Sequence, residues 1–153
     1  MKIEDALLWR EELRRKGKKL VVTNGCFDLL HRGHVEYLAA ARNRGDALLV
    51  LVNSDASVRA LKGPDRPLND EVSRVIVLEA LKAVDAAVIF DSRRCDRELA
   101  LLSPDIYAKG GDYTLETMDP AERKALEQAG SRIVFIPFVP GFSTTSTIEK
   151  MRR

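Results

Sequence analysis

The chain's two histidines, His31 and His34, enclose Arg32 and Gly33 and close a run that reads Thr23-Asn24-Gly25-Cys26-Phe27-Asp28-Leu29-Leu30. Apolar residues at helical spacing, Val35, Leu38 and Ala41, follow directly. A helix beginning there presents unpaired backbone N–H groups and the positive end of its dipole, which together favour phosphate. Imidazoles at that point can bind and polarise a phosphoryl group without burying a permanent cation. Gly33 leaves room for a phosphate to approach the backbone. A structural reading, in which both rings cap the helix or lie at the surface, stands beside this one. A pair flanking a glycine at a strand-to-helix junction favours the phosphate.

Three further runs carry groups suited to anions. Lys62 and Arg66 fall in a loop marked by Gly63 and Pro64 and offer two cations, the plainer reading being a solvated basic loop. Arg74 follows on what reads as the polar face of a helix. Lys109-Gly110-Gly111-Asp112 comes after an apolar run, where glycines permit tight turns near a ligand. Gly141-Phe142-Ser143-Thr144-Thr145-Ser146 precedes a short helix running towards Lys150. Hydroxyls and N–H groups at a helix start form an anion site, and Ser143 or Thr144 can cap the helix at the same time. Mg²⁺ is expected alongside, because it bridges nucleotide phosphates and needs few protein ligands. Cys26 reads as a small packing residue.

These runs need elements to hold them. Residues 20–24, 47–52, 86–90, 105–108 and 132–137 are short apolar runs suited to buried strands. Between them, helical spacing is predicted from Val35 to a stop at Gly45, and over 70–81, 96–102 and 120–129, with an amphipathic helix at 3–16 packed outside. Apolar strands alternating with helices predict an α/β fold: one Rossmann-like, doubly wound parallel sheet of about five strands, in a single domain over 1–153. In such a sheet the ligand sits beyond the carboxyl ends of the strands, where strand order reverses. Every run singled out above follows one of the predicted strands.

Composition sets the outer limits. At 153 residues, 45% hydrophobic and 31% charged, the chain suits one globular domain with a real core. A net charge of +2 gives no argument for nucleic acid or membrane as a partner. Cys26 and Cys95 lack disulfide-framework or zinc-ligand spacing. No apolar stretch suggests a signal sequence or a bilayer span, so the expected location is cytoplasmic.

The run from Thr23 to His34 resembles the signature of the cytidylyltransferase-like nucleotidylyltransferases, whose hallmark is HxGH. Val52-Asn53-Ser54-Asp55, Leu61-Lys62-Gly63-Pro64-Asp65-Arg66-Pro67, Lys109-Gly110-Gly111-Asp112-Tyr113 and Ser143-Thr144-Thr145-Ser146 extend the likeness in order. Within that superfamily the chain is most similar to adenylyltransferases that make ADP-heptose from heptose 1-phosphate. The resemblance implies catalytic roles for His31, His34 and Lys62. It implies nucleotide contacts for Asn24, Gly25, Cys26, Phe27, Asp28, Gly33, Lys109, Gly110, Asp112, Ser143, Thr144 and Thr145. Arg66 and Arg74 are implied at the acceptor phosphate, and Asp28 beside the metal. Residues 114–131 depart from the heptose enzymes' usual pattern and are expected to border the acceptor. The expected partners are ATP or CTP, a small phosphorylated acceptor and a second copy of the chain. Two alternatives are a cytidylyltransferase acting on glycerol 3-phosphate or a related polyol phosphate or phosphonate, and a non-catalytic nucleotide-binding module.

Overall fold

The computed structural model describes residues 1–138, 141 and 143–153; Phe142 of the Ser/Thr run lies outside the described residues. Five parallel strands, β1 (Leu20–Gly25), β2 (Ala47–Asn53), β3 (Ala86–Phe90), β4 (Ile106–Gly110) and β5 (Arg132–Ile136), form one sheet in the order β3-β2-β1-β4-β5. The helices are α1 (Ile3–Arg15), α2 (Arg32–Arg42), α3 (Asp55–Lys62), α4 (Glu71–Glu79), α5 (Asp96–Leu102), α6 (Pro120–Ala129) and α7 (Thr144–Met151). The expected fold class and strand number both stand.

Both faces of the sheet are covered, which is why its strands read as unbroken apolar runs rather than alternating ones. All of β2 is buried. Leu20, Val22, Leu49, Leu51 and Tyr107 face a core shared with Ala6 and Leu13 of α1, Leu99 of α5 and Leu126 of α6. Val21, Leu48, Val50 and Ala108 face the opposite core, with Leu38 of α2 and Leu78 of α4. Helix α1 is locked on by Arg10, almost wholly buried, which donates to the Leu102 and Ser103 carbonyls and pairs with Asp105 at 3.0 Å.

The chain lays down β1, β2 and β3 in one direction and then returns to place β4 on the other side of β1. Strand order therefore reverses at β1, and the crevice opens beyond its carboxyl end. The Asn24–His34 run begins there.

Two elements differ from the sequence reading. Helix α2 starts at Arg32, capped by His31, so the histidines sit at its N-cap and third position rather than before it. Helix α3 is the second, and it takes Lys62 out of the loop that the sequence predicts for it. It buries only Ser57 and Val58, too few apolar positions for a 3.6-residue period to show, and is nucleated by Ser54 Oγ accepting from Ser57 N. Lys62 accordingly stands in the last turn of a helix, with Gly63 at its C-cap.

Candidate active site

Each histidine ring uses Nδ1 on the backbone of α2. His31 Nδ1 accepts from Gly33 N at 3.0 Å, and His34 Nδ1 accepts from His31 N at 3.3 Å. This is a reciprocal capping box built from two imidazoles. An Nδ1 that accepts leaves the proton of the neutral ring on Nε2, so each ring carries its donor at the far end. The rings stack with centroids 4.0 Å apart. Burial pushes the His34 pKa down to about 4, helped by the neighbouring His31 and Lys62 charges, and burial also lowers that of His31. At neutral pH both rings are uncharged Nε2–H donors. The capping and phosphate readings are thus compatible: the cap fixes the tautomer that a phosphate oxygen needs.

The rings open on a cleft of about 220 Å³ lined by His31, Gly33, His34, Lys62, Phe138, Ser143, Thr144 and Thr145. The N-terminal ends of α2 and α7 both border it, which adds two helix dipoles to the imidazoles and the Lys62 ammonium. Ser143 Oγ caps α7 by accepting from Ser146 N, while Thr144 Oγ1 donates to the Leu29 carbonyl and ties α7 to the histidine loop. A second cleft of about 320 Å³ shares His34, Lys62, Phe138 and Thr144 with the first. Its walls add Asn24 to Asp28, Tyr37, Lys109, Gly110 and Tyr113. Phe27 turns the chain there with a left-handed φ of 48°, a strained geometry for a side chain of its size. The Lys109 ammonium lies 4.8 Å from the centre of the Tyr113 ring. Asp112 is exposed and lines neither cleft.

Three expected ligands have other tasks. Asp28 is buried and its carboxylate accepts from Leu68 N (2.8 Å), Asn69 N (2.9 Å) and Arg66 Nε (3.1 Å). Burial works to raise its pKa, but the Asn69 and Leu68 N–H groups and Arg66 outweigh it and hold the carboxyl below its usual value. Three donors and full enclosure of its side chain leave Asp28 poorly placed as a direct metal ligand, and the described residues contain no group of three or more His, Cys, Asp or Glu able to hold a metal. Arg66 is drawn inwards by this ion pair, leaving Nη2 buried without a hydrogen-bond partner. Arg74 is not on a polar surface. It is buried and donates to the carbonyls of Asn69, Cys26 and Asn53 and to the Asp55 carboxylate. Its guanidinium joins the ends of β1 and β2 to α3 and α4, which places it behind the site rather than in it.

Sequence reasoning missed Phe138 and Tyr37, which both line the larger cleft. A Cβ on Gly110 would lie 2.5 Å from the Phe138 ring, so Gly110 is the seat for that ring. Phe138 follows β5 by two residues, and the rule that ligands gather after each strand could have found it. Tyr37 lies within a helical run with no spacing of its own to mark it, and only the fold brings it to the cleft. None of residues 114–131 lines either cleft: Met118 is buried in the core and α6 packs against α5. The unusual segment therefore borders neither of these two clefts.

The model of the cytidylyltransferase-like family matches residues 22–150, most of the chain. The chain belongs to the cytidylyltransferase-like family. The nucleotidyltransferase class expected from the sequence stands with that membership. It is 51% identical over 91% of its length to the bifunctional protein HldE of Geotalea uraniireducens, of which it covers 28%. It is 46% identical over 97% of its length to the HldE of Nitratiruptor sp., covering 31%. The chain thus spans somewhat over a quarter of the length of these relatives. Among solved structures, a lipopolysaccharide core biosynthesis protein from Thermoplasma volcanium superposes with a TM-score of 0.65 and 30% identity, covering 80% of this cytidylyltransferase-like chain and 98% of that one. A pantoate-beta-alanine ligase from Francisella tularensis, complexed with beta-gamma ATP and beta-alanine, shares the fold alone, at 12% identity and a TM-score of 0.58 over 99% of this chain and 75% of that one.

Proposed function

We propose that residues 1–153 form one adenylyltransferase domain that joins AMP from ATP to a sugar 1-phosphate, with heptose 1-phosphate as the acceptor, and releases pyrophosphate. The observation that carries this reading is the convergence of two helix N-termini, two Nε2–H imidazoles and Lys62 on one small cleft that opens into a larger one. The relatives named HldE and the resemblance to ADP-heptose-forming enzymes support the choice of ATP and heptose.

In the reaction an acceptor phosphate oxygen attacks the α-phosphorus, a new P–O bond forms, and the α–β bridging bond breaks with its electron pair leaving on pyrophosphate. The attacking oxygen is already ionised, so no strong base is needed. The chain's own work is positioning and charge stabilisation. His31 and His34 donate to phosphate oxygens, Lys62 neutralises charge where the two clefts meet, and the helix termini hold the leaving group. Asn24, Cys26, Phe27, Lys109 and Gly110 wall the cleft that would take the rest of the substrates. Magnesium fits as an ion carried in on the triphosphate, since it needs few protein ligands.

We place this activity in the cytoplasm; no helix among the described residues is long and apolar enough to cross a membrane. A second copy of the chain is the partner proposed for the outer face of α4. Val72 and Ile76, one turn apart, are both more than 60% exposed, with Leu68 and Val77 about half exposed beside them. A twofold axis sets such a stripe against itself.

The deciding experiment is pyrophosphate release with ATP, CTP, GTP and UTP crossed against heptose 1-phosphate and a panel of sugar and polyol phosphates. ATP with heptose 1-phosphate is expected to turn over fastest. A hundredfold preference for CTP, about 2.7 kcal/mol of transition-state discrimination, would move the chain to the cytidylyltransferases. ATP use without heptose turnover would discard only the sugar.

A further inference from the structure

Strand β1 ends in two polar side chains on opposite faces of the sheet, and a buried tyrosine meets each. On the α2 face, Tyr37 Oη is 2.7 Å from Thr23 Oγ1 and donates to the Ala108 carbonyl at 3.0 Å. On the other face, Tyr107 of β4 donates its hydroxyl to Asn24 Oδ1. The register pairs Tyr107 with Val22, so the phenol reaches two residues along β1 to the last polar position before the cleft. Tyr107 is fully buried in the core, within electrostatic reach of Cys95 and the Glu122 carboxylate, while Asn24 lines the larger cleft.

We propose that Tyr107 is a positioning residue for catalysis: it holds the Asn24 amide by its oxygen, so that the amide nitrogen faces the cleft and donates to a phosphate oxygen of the bound nucleotide. This rests on the reading of the cleft as a nucleoside triphosphate site. The direction of the bond follows from the groups. A phenol is a good donor and a weak acceptor, and its natural partner in an amide is the carbonyl oxygen. Burial raises the Tyr107 pKa well above its usual value, so the proton that makes this bond is present at any working pH. With its oxygen held by the phenol, the amide turns its two N–H donors to the other side. A carboxamide is nearly isosteric on rotation by half a turn, and nothing in its own shape prevents its oxygen from facing the anion. The tyrosine removes that choice, at a position where an oxygen would repel the substrate.

Tyr107→Phe deletes the donor and keeps the ring that fills the core. In the pyrophosphate-release assay it is expected to keep the thermal midpoint within a few degrees. It should lower kcat/KM for ATP about tenfold, the loss typical of one hydrogen bond, through kcat more than KM. Asn24→Ala should lose at least as much, and the double variant no more than Asn24→Ala alone. A second measurement is independent of turnover. The Asn24 side-chain NH₂ pair, assigned in a ¹⁵N spectrum by its loss in Asn24→Asp, should be sharp in the parent and broadened in Tyr107→Phe as the amide gains rotation. Additive losses in the cycle, unchanged kcat/KM in Tyr107→Phe, or an unchanged NH₂ pair would each overturn the proposal. A parent protein without turnover would sink the transferase reading, and the NMR comparison would still decide the role of Tyr107.

Discussion

His31 and His34 carry two tasks on one ring each, and substitutions can separate them. Alanine would remove the helix cap together with the Nε2 donor and confuse the two. Asparagine is a strong N-cap residue, and glutamine at the third position completes a capping box. His31→Asn and His34→Gln should therefore stay within about 1 kcal/mol of parent stability in urea unfolding. Turnover should fall about 10²–10³-fold, as when one transition-state donor is lost. Near-normal turnover in either variant would leave only the capping role. Two nearby cations divide in the same way. Lys62 is exposed, so Lys62→Ala should cost activity and leave stability within about 0.5 kcal/mol. Arg66→Ala strips the buried Asp28 carboxylate of its ion-pair partner and should lower both. Equal stability losses for Lys62→Ala and Arg66→Ala would contradict this division.

At the scale of elements, the site is a junction of chain ends held by side chains far from solvent. Arg74 joins four segments through the Cys26, Asn53 and Asn69 carbonyls and the Asp55 carboxylate. Removing it leaves buried acceptors unpaired. Arg74→Ala is expected to destabilise the fold by about 3 kcal/mol or more, seen as a lower urea midpoint. Its activity loss should follow the unfolded fraction rather than appear as a weaker substrate affinity. A stable Arg74→Ala protein with raised KM for the acceptor would restore the arginine to the phosphate site. Thr144 plays a smaller version of the same part by tying α7 to Leu29.

For the molecule as a whole, the neutral histidines make stability depend on pH. The His34 pKa lies at about 4 in the fold, against its usual 6.5. Between those values the unfolded chain binds more protons than the native one, so the His34 contribution is fully present above about pH 6.5 and is lost as pH falls towards 4. The lowered pKa of Asp28 acts in the same direction at still lower pH. The thermal midpoint should fall from pH 7 to pH 4, and less steeply in His34→Gln. A parallel decline in both proteins would assign the acid sensitivity elsewhere. The α4 stripe makes the other whole-molecule prediction. Sedimentation should find a dimer, and Ile76→Glu should convert it to a monomer without loss of fold. A parent monomer at high concentration would dismiss the second copy.

The sequence by itself determined the five strands, their parallel arrangement and the strand-to-helix junction that carries the histidines. Each depends on patterns local to a dozen residues: unbroken apolar runs for strands covered on both faces, and a glycine-marked junction where a helix begins. It also placed Lys62, Lys109 and Ser143 after the right strands, because ligand groups gather at that edge of any such sheet. Only the tertiary structure decided what these groups face. Arg74 reads as a surface residue on its helix until β1 and β2 close over it. The resemblance implies Asp28 beside the metal, and in the fold Leu68 and Asn69 bring their N–H groups to its carboxylate. Tyr107 and Tyr37 carry no local signal, since a tyrosine in a strand or a helix suits an ordinary core, and Phe138 carries only its place after β5. Their partners lie 83, 71 and 28 residues away in the chain, at Asn24, Ala108 and Gly110. Contacts at that separation are set by strand order and register, which no local spacing encodes.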